Sequence, residues 1–364
     1  MNLHKIKYSV FSLAIFFSLL NSCQRPSEGS RRAGEHIKNT VVASVETTPT
    51  PHTKKEDSAD DPAIWINHSD PMHSVIFGTD KKGGLASYDL SGNQLHYYPV
   101  GKINNCDLRY GFPVGNDTID ILAATNRSTH SISLYKISEG GVLDSIHSRT
   151  IVSDMTEDVY GMCMYFSPVD SSYYVFINST AGEVEQWKLL ASGDRVDAQL
   201  VRSFKIATQT EGMVADDRAG VLYVGEEDAG IHKFDAEPNG NTEGVMITMS
   251  SEENKNIKYD IEGLAIYPTD SVNGYLLASA QGNYSYAVFE RQGNNRYLGS
   301  FRIVDGNIDG VEETDGIDVT NISLGDAFPK GMLVVQDGYN YEGKKLISQN
   351  YKYISWEAIV KLFN

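Results

Sequence analysis

The sequence predicts an all-β fold, a six-bladed β-propeller with four-stranded antiparallel blades around a central channel. Three observations carry that expectation. No long stretch keeps a 3.6-residue apolar period; the apolar runs are short or alternating and are closed by Gly, Asn and Asp. Glycine (32) and tyrosine (21) are abundant, which suits strands joined by tight turns. One two-strand pattern returns six times at intervals of about fifty residues, the length of a propeller blade.

Residues 1–23 are expected to precede the fold. Lys5 and Lys7 make a positive start, Val10–Leu20 is an apolar run too short to span a bilayer, and "LLNSC" ends at Cys23. This end resembles the lipobox of bacterial lipoproteins, so lipid is expected on Cys23, with ordinary signal cleavage nearby as the alternative. Either way the protein is expected to be exported, touching a membrane only through an N-terminal lipid. Residues 24–56 are rich in Ser, Thr, Pro and charge without apolar period and read as a flexible tether. The propeller is expected over 57–364, as a monomer. Cys106 and Cys163 are too few for a disulfide framework and read as buried free thiols.

The repeating unit has two parts. Six glycine- or acid-led strands begin at "DDPAIW", "CDLRYGF", "VYGMCMY", "EGMVAD", "EGLAIY" and "DGIDVT". Each is followed by an apolar strand that ends in a polar cluster, as in "VIFGTDKKGG", "DILAATNRS", "YYVFINSTAG", "VLYVGEED", "YLLASAQGN" and "GMLVVQDGYN". The glycine-led strand is expected to be innermost, with its first residue at the channel mouth. The C-terminal "QNYKYISWEAIVKLF" cannot complete a blade alone, so strands from both ends are expected to share one blade and close the ring. A pair of sandwiches is the weaker alternative, because nothing in a sandwich repeats at this length.

Closure turns these positions into two circles. The first holds Asp61, Asp107, Tyr160, Glu211, Glu262 and Asp315, with Asp60, Asp158, Asp260 and Asp318 close by. Carboxylates about 4 Å apart repel by roughly 1–4 kcal/mol per pair, so such a mouth calls for cations. Oxygen ligands without His or Cys favour several calcium ions over zinc or copper. The loop "DGNIDGVEETDG", 305–316, aims Asp305, Asn307 and Asp309 at one point, although Gly316 stands where an EF-hand needs glutamate. The second circle holds Lys81 (with Lys82 beside it), Arg127, Thr180, Glu227, Gln281 and Asp337. Its cationic blades fit a phosphate-bearing ligand, since arginine offers a fork and lysine a point charge to phosphate oxygens.

The net charge of −17 argues against a nucleic-acid partner. The chain has no R-H-G-x-R-x-P run, no H-C-x5-R loop, no G-x-S-x-G elbow and no HExxH helix. Chemistry at this mouth is therefore expected from oxygen-bound metal and water.

The ordered motifs "DDPAIW", "DKKGGL", "NNCDLRYGFP", "TNRS", "DVYGM", "TEGMVADD", "YVGEED", "AEPNG", "DIEGLAIY", "ASAQGNYSYAVFERQG", "TDGIDV", "VVQDG" and "SQNYKYISWE" resemble the β-propeller phytases, bacterial calcium-dependent alkaline 3-phytases. The resemblance implies a calcium-lined cleft that hydrolyses phytate, or calcium–phytate, to lower inositol phosphates and phosphate. It implies that Asp61, Glu211, Glu227, Asp260, Glu262, Gln281, Asp309 and Asp315 hold calcium, with Asp60 beside them. Lys81, Arg127 and Tyr160, together with Glu211, take catalytic roles at the phosphate, with Lys82 at its edge. Asp107 with Asn105, and Asp337 with Asn340, become further calcium or cleft positions. One departure stands out. "NSTAGE" replaces the family's G-K-E-G, so Thr180 and Ala181 stand where a phosphate-binding lysine and its acidic neighbour are usual. Weaker substrate binding or a changed preference among inositol phosphates is expected. A lactonase-like calcium propeller and a non-catalytic sugar-phosphate binder are the alternatives; Lys81, Lys82 and Arg127 speak against the first.

Overall fold

The computed structural model describes residues 33–54 and 56–363. The expected signal segment and Cys23 lie outside the described residues. Two short strands come first, β1 (Thr40–Val42) and β2 (Val45–Glu46). Blade 1 then holds β3 (Ala59–Trp65), β4 (Val75–Asp80), β5 (Gly84–Tyr88) and β6 (Gln94–Tyr98). Blade 2 holds β7 (Ile103–Val114), β8 (Asp117–Asn126), β9 (Ser131–Ser138) and β10 (Val142–Ser145), with β11 (Ile151–Val152) beside β9. Blade 3 runs through β12 (Val159–Phe166), β13 (Tyr173–Ser179), β14 (Glu183–Ser192) and β15 (Arg195–Lys205). Blade 4 runs through β16 (Thr210–Asp216), β17 (Val221–Glu226), β18 (Gly230–Asp235) and β19 (Val245–Met246). Blade 5 comprises β20 (Ile261–Pro268), β21 (Gly274–Ala280), β22 (Ser285–Glu290) and β23 (Tyr297–Val304). Blade 6 comprises β24 (Ile317–Val319), β25 (Met332–Asp337) and β28 (Asn350–Ser355), interrupted by a small hairpin of β26 (Tyr341–Glu342) and β27 (Lys345–Leu346). A short helix, α1 (Trp356–Val360), ends the chain.

The innermost strands β3, β7, β12, β16, β20 and β24 touch in turn around the axis, which makes the six sheets a closed propeller. Strands packed between blades are buried on both faces, which is why β4 and β13 read as unbroken buried runs. Outer β6 carries three exposed residues at its start. Each pair of neighbouring blades shares one apolar layer. Phe77 and Leu122 meet between blades 1 and 2, Ile121 and Val175 between 2 and 3, and Phe176 and Leu222 between 3 and 4. Tyr223 and Leu276 meet between blades 4 and 5, Leu277 and Leu333 between 5 and 6, and Ile76 and Tyr353 between 6 and 1. Cys106 and Cys163 are buried free thiols within these layers.

Both chain ends share blade 6, as the sequence implies. β2 pairs antiparallel with β28, Val45 opposite Tyr353, and supplies its outer strand. β1 adds a parallel fifth strand to blade 5, Thr40 opposite Arg302. Over its described part, 33–54 and 56, this corrects the tether reading of 24–56: Ile37, Val41, Ala43, Thr47 and Thr50 are buried in the propeller. Trp356 of α1 stacks on Tyr267, centroids 3.9 Å apart, and seals the same junction.

Candidate active site at the channel mouth

Five of the six inner strands break register at the same place. The shift falls between Ala59 and Pro62, Ile103 and Cys106, Val159 and Met162, Thr210 and Met213, and Ile261 and Leu264. A bulge leaves two residues unpaired and re-aims the first side chain. Aligned by this bulge, the ring at the mouth is Asp60, Asn104, Tyr160, Glu211, Glu262 and Asp315, the last placed by the pairing of Ile317 with Val335.

The second bulge position explains the recurring acid–glycine pairs. It is Gly161, Gly212, Gly263 and Gly316 in blades 3 to 6. A Cβ at Gly212 would overlap the Glu262 carbonyl oxygen, and one at Gly161 the Glu211 carbonyl oxygen. The glycine lets one bulge pack against the next. A polar side chain opposite the bulge locks the arrangement in every blade but the fourth, where Gly225 stands opposite; in blade 1 it is Thr79, which accepts from the Asp61 amide (2.9 Å). Asn178 accepts from the Gly161 amide (2.7 Å) and donates to the Glu211 carbonyl (2.9 Å). Ser279 accepts from the Gly263 amide and donates to the Asp315 carbonyl, both at 2.7 Å. Thr125 accepts from the Asn105 amide (3.1 Å) and donates to the Tyr160 carbonyl (2.6 Å). Gln336 accepts from the Asp315 amide and donates to the Ala59 carbonyl. These supports were missed in the sequence; their signal is a polar residue at the next-to-last position of an otherwise apolar second strand.

Alignment by the bulge moves three residues. Blade 1 presents Asp60 in the ring rather than Asp61, and blade 2 presents Asn104 rather than Asp107. Asp61, Asp107 and Asp318 line a channel cavity of about 270 Å³ together with Arg109 and Asp217. There Asp61 accepts from the Cys106 amide (3.1 Å), and Asp107 from the Met164 amide (2.7 Å) and Arg109 (3.0 Å). Burial and the neighbouring acids push Asp61 well above the usual carboxylate range and Asp318 up to about 7. In blade 6 the residue equivalent to Lys81 is Gly338, one beyond Asp337. Asp337 is fully buried and, with Asp309, converges on the Lys352 ammonium, Asp337 at 2.8 Å. The Gly310 carbonyl accepts from the same ammonium at 2.7 Å. Asn340 donates to the Ser348 carbonyl, and its buried Oδ1 has no hydrogen-bond partner.

The mouth itself gathers buried charge. One oxygen each from Glu211, Glu227 and Glu262 lies within 4.8 Å of the others, and all three residues are buried. Burial first, then neighbouring acids, raises Glu211 and Glu227 to about 7 and Glu262 well above its ordinary value. Asp260 is raised by burial and by Asp228. Glu227 accepts from Gln209 (2.7 Å), and Gln281 donates to Asp315. Lys81 is nine-tenths buried and stands 2.9 Å from Asp57, 3.3 Å from Asp60 and 3.2 Å from Asp315. Burial opposes its charge, but Asp60, Asp315 and Asp57 outweigh it and hold the ammonium protonated. Asp57 was not singled out in the sequence because it precedes the repeat. Tyr160 is held far above the ordinary phenol range by Glu211 and by burial, so its hydroxyl stays protonated. The Arg127 guanidinium lies 5.6 Å over the Tyr160 ring and pairs with Asp158 at 3.1 Å. Lys82 is exposed at the top of blade 1 and Thr180 half-buried at the top of blade 3; the Lys82 amide donates to Asp80 (2.8 Å).

The donor set fits a hard cation. Calcium takes oxygen ligands at about 2.3–2.6 Å, so oxygens on opposite sides of one ion are about 5 Å apart. Asp60 Oδ2 and Glu262 Oε2 are buried without a hydrogen-bond partner, so their lone pairs are available, while Asp60 Oδ1 faces the Lys81 ammonium at 3.3 Å. Unpaired buried carboxylates are costly, and a cation among them removes that cost.

The six blades thus set buried carboxylates beside a buried lysine and an arginine at one end of the channel. Residues 9–364 match the phytase family, and the chain belongs to that family. It is 43 % identical over 349 residues to the 3-phytase of Bacillus subtilis (strain 168), a match covering 94 % of this chain and 90 % of that relative.

Proposed function

We propose that the protein is a calcium-dependent phosphomonoesterase that hydrolyses phytate, presented as calcium–phytate, to lower inositol phosphates and phosphate by direct attack of water. The observation that supports it most is the convergence of Glu211, Glu227 and Glu262 within 4.8 Å beside Lys81, in a member of the phytase family.

Glu211, Glu227 and Glu262 would hold calcium, with Asp60, Asp260, Gln281 and Asp315 around them. Calcium bound there supplies positive charge against the phosphate oxygens and lowers the pKa of water. The chain's own residues do the rest. Lys81 keeps its proton and places a point charge at the mouth, and Arg127 offers a planar fork to a phosphate oxygen pair. The Tyr160 hydroxyl remains a donor and can bond an equatorial oxygen without losing its proton. Phosphoryl transfer depends mostly on positioning and charge stabilisation, which these three groups provide. No phosphoenzyme is invoked. With Thr180 and Ala181 in blade 3, the cationic arc spans blades 1 and 2 only.

Phosphate release from calcium–phytate, followed with and without a chelator, tests the reading. Release should stop on complete calcium removal and return on calcium addition; release that persists unchanged would overturn it. The N-terminal pattern supports an exported, lipid-anchored protein, with Cys23 as the lipid attachment point. Radiolabelled palmitate should enter the wild-type protein and not Cys23→Ala.

A further inference from the structure

Asn104 occupies the ring position of blade 2, where the other blades present an acid or Tyr160. It is fully buried. Its Nδ2 donates to Glu211 Oε1 at 2.7 Å and to Asn105 Oδ1 at 2.8 Å, and its Oδ1 accepts from the Arg127 Nη1 at 3.4 Å. The three contacts use both donors and the acceptor of one amide. They also allow only one orientation. Turned over, the amide would set its oxygen against the Glu211 carboxylate and its NH2 against a guanidinium that can only donate.

We propose that Asn104 is a positioning residue for the hydrolytic mouth, its amide tying the Arg127 guanidinium to the Glu211 carboxylate across the channel. This rests on the calcium–phytate reading above. Glu211 has one oxygen anchored on Asn104, which leaves the other to face the cation. Arg127 has its fork anchored at Asn104 on one nitrogen and at Asp158 on another, which sets the plane it offers to phosphate. A neutral amide is the side chain that can do both. An acid there would accept from Arg127 but repel Glu211. An apolar residue would release both and strand buried charge.

The test compares Asn104→Asp and Asn104→Ala with wild type, using calcium–phytate as substrate and calcium alone in isothermal titration. Asn104→Asp keeps size and the Arg127 contact but loses the donor to Glu211. Its kcat is expected to fall about ten- to hundred-fold, the range for a lost hydrogen bond to a charged group, with KM changed less than about threefold. Asn104→Ala is expected to lose kcat at least as much, to raise KM as Arg127 loosens, and to bind calcium several-fold more weakly. Should Asn104→Ala fail to fold, the isosteric Asn104→Asp still decides. A packing role would spare Asn104→Asp and harm only Asn104→Ala, so Asn104→Asp with wild-type kcat overturns the proposal. Wild-type protein that releases no phosphate from calcium–phytate would instead sink the functional reading, and this proposal with it.

Discussion

Replacing Lys81 with Met keeps the side-chain length and removes the one ammonium that Asp57, Asp60 and Asp315 share. At separations near 3.2 Å and an effective dielectric of about 20, each pair is worth about 5 kcal/mol before desolvation. Breaking a buried pair on one side typically costs about 3–5 kcal/mol. The cost is bounded, because each stranded carboxylate can take a proton. At pH 8, protonating a group with an ordinary value of 3.8 requires about 6 kcal/mol. The net expectation for Lys81→Met is therefore a loss of about 3–5 kcal/mol in chelator at pH 8. Unfolding entropy of about 2.1 cal/mol/K per residue over the described propeller makes that a fall of about 4–7 °C in Tm. The assay is a thermal melt with chelator and again with excess calcium. Calcium should recover part of the loss, because a divalent ion can sit among the same oxygens, while phosphate release stays low for want of the point charge. A variant whose metal-free melt matches wild type would refute the reasoning, since it would mean that Asp60 and Asp315 do not depend on Lys81.

The remaining expectations are narrower. Glu211→Gln keeps the shape of the ring residue and its backbone bonds, so turnover should fall about 10²- to 10³-fold with an unchanged circular dichroism spectrum; wild-type turnover would remove Glu211 from the site. Gly212→Ala should prevent soluble folding or cost several kcal/mol, read as loss of the cooperative melt, because a Cβ there meets the Glu262 carbonyl. Calcium binding should release protons near pH 6, seen as buffer-dependent heats, because Glu211 and Glu227 have folded values of about 7. The sign for stability follows from the same raised values. The metal-free fold holds these protons more tightly than the unfolded chain, so it should lose stability as pH rises from about 4.5 through about 7. A metal-free melt that improves steadily over that window would contradict this.

Much of the architecture was legible because the propeller repeats. Six recurrences of an acid or glycine ahead of an apolar run fix the blade count, and an incomplete last unit implies closure by both ends. Phase was legible where glycine fills the second bulge position, as after Tyr160, Glu211, Glu262 and Asp315. Blade 1 has two adjacent acids, and blade 2 has two asparagines, so an alignment on acids slid to Asp61 and Asp107. The bulge is a backbone feature and leaves no residue type of its own. In the N-terminal segment, β1 and β2 are three and two residues long, too short for a period to show. The pairing of Asp309 and Asp337 with Lys352 was hidden for another reason: β28 brings the lysine alongside β25 only once blade 6 is complete.

In the proposed function, buried carboxylates from separate blades form one calcium-holding cluster at the channel mouth. Anomalous diffraction from crystals grown in calcium tests it most directly. The expected result is a calcium peak bounded by Glu211, Glu227 and Glu262. A mouth without calcium at saturating concentration, in protein that still releases phosphate from calcium–phytate, would contradict it.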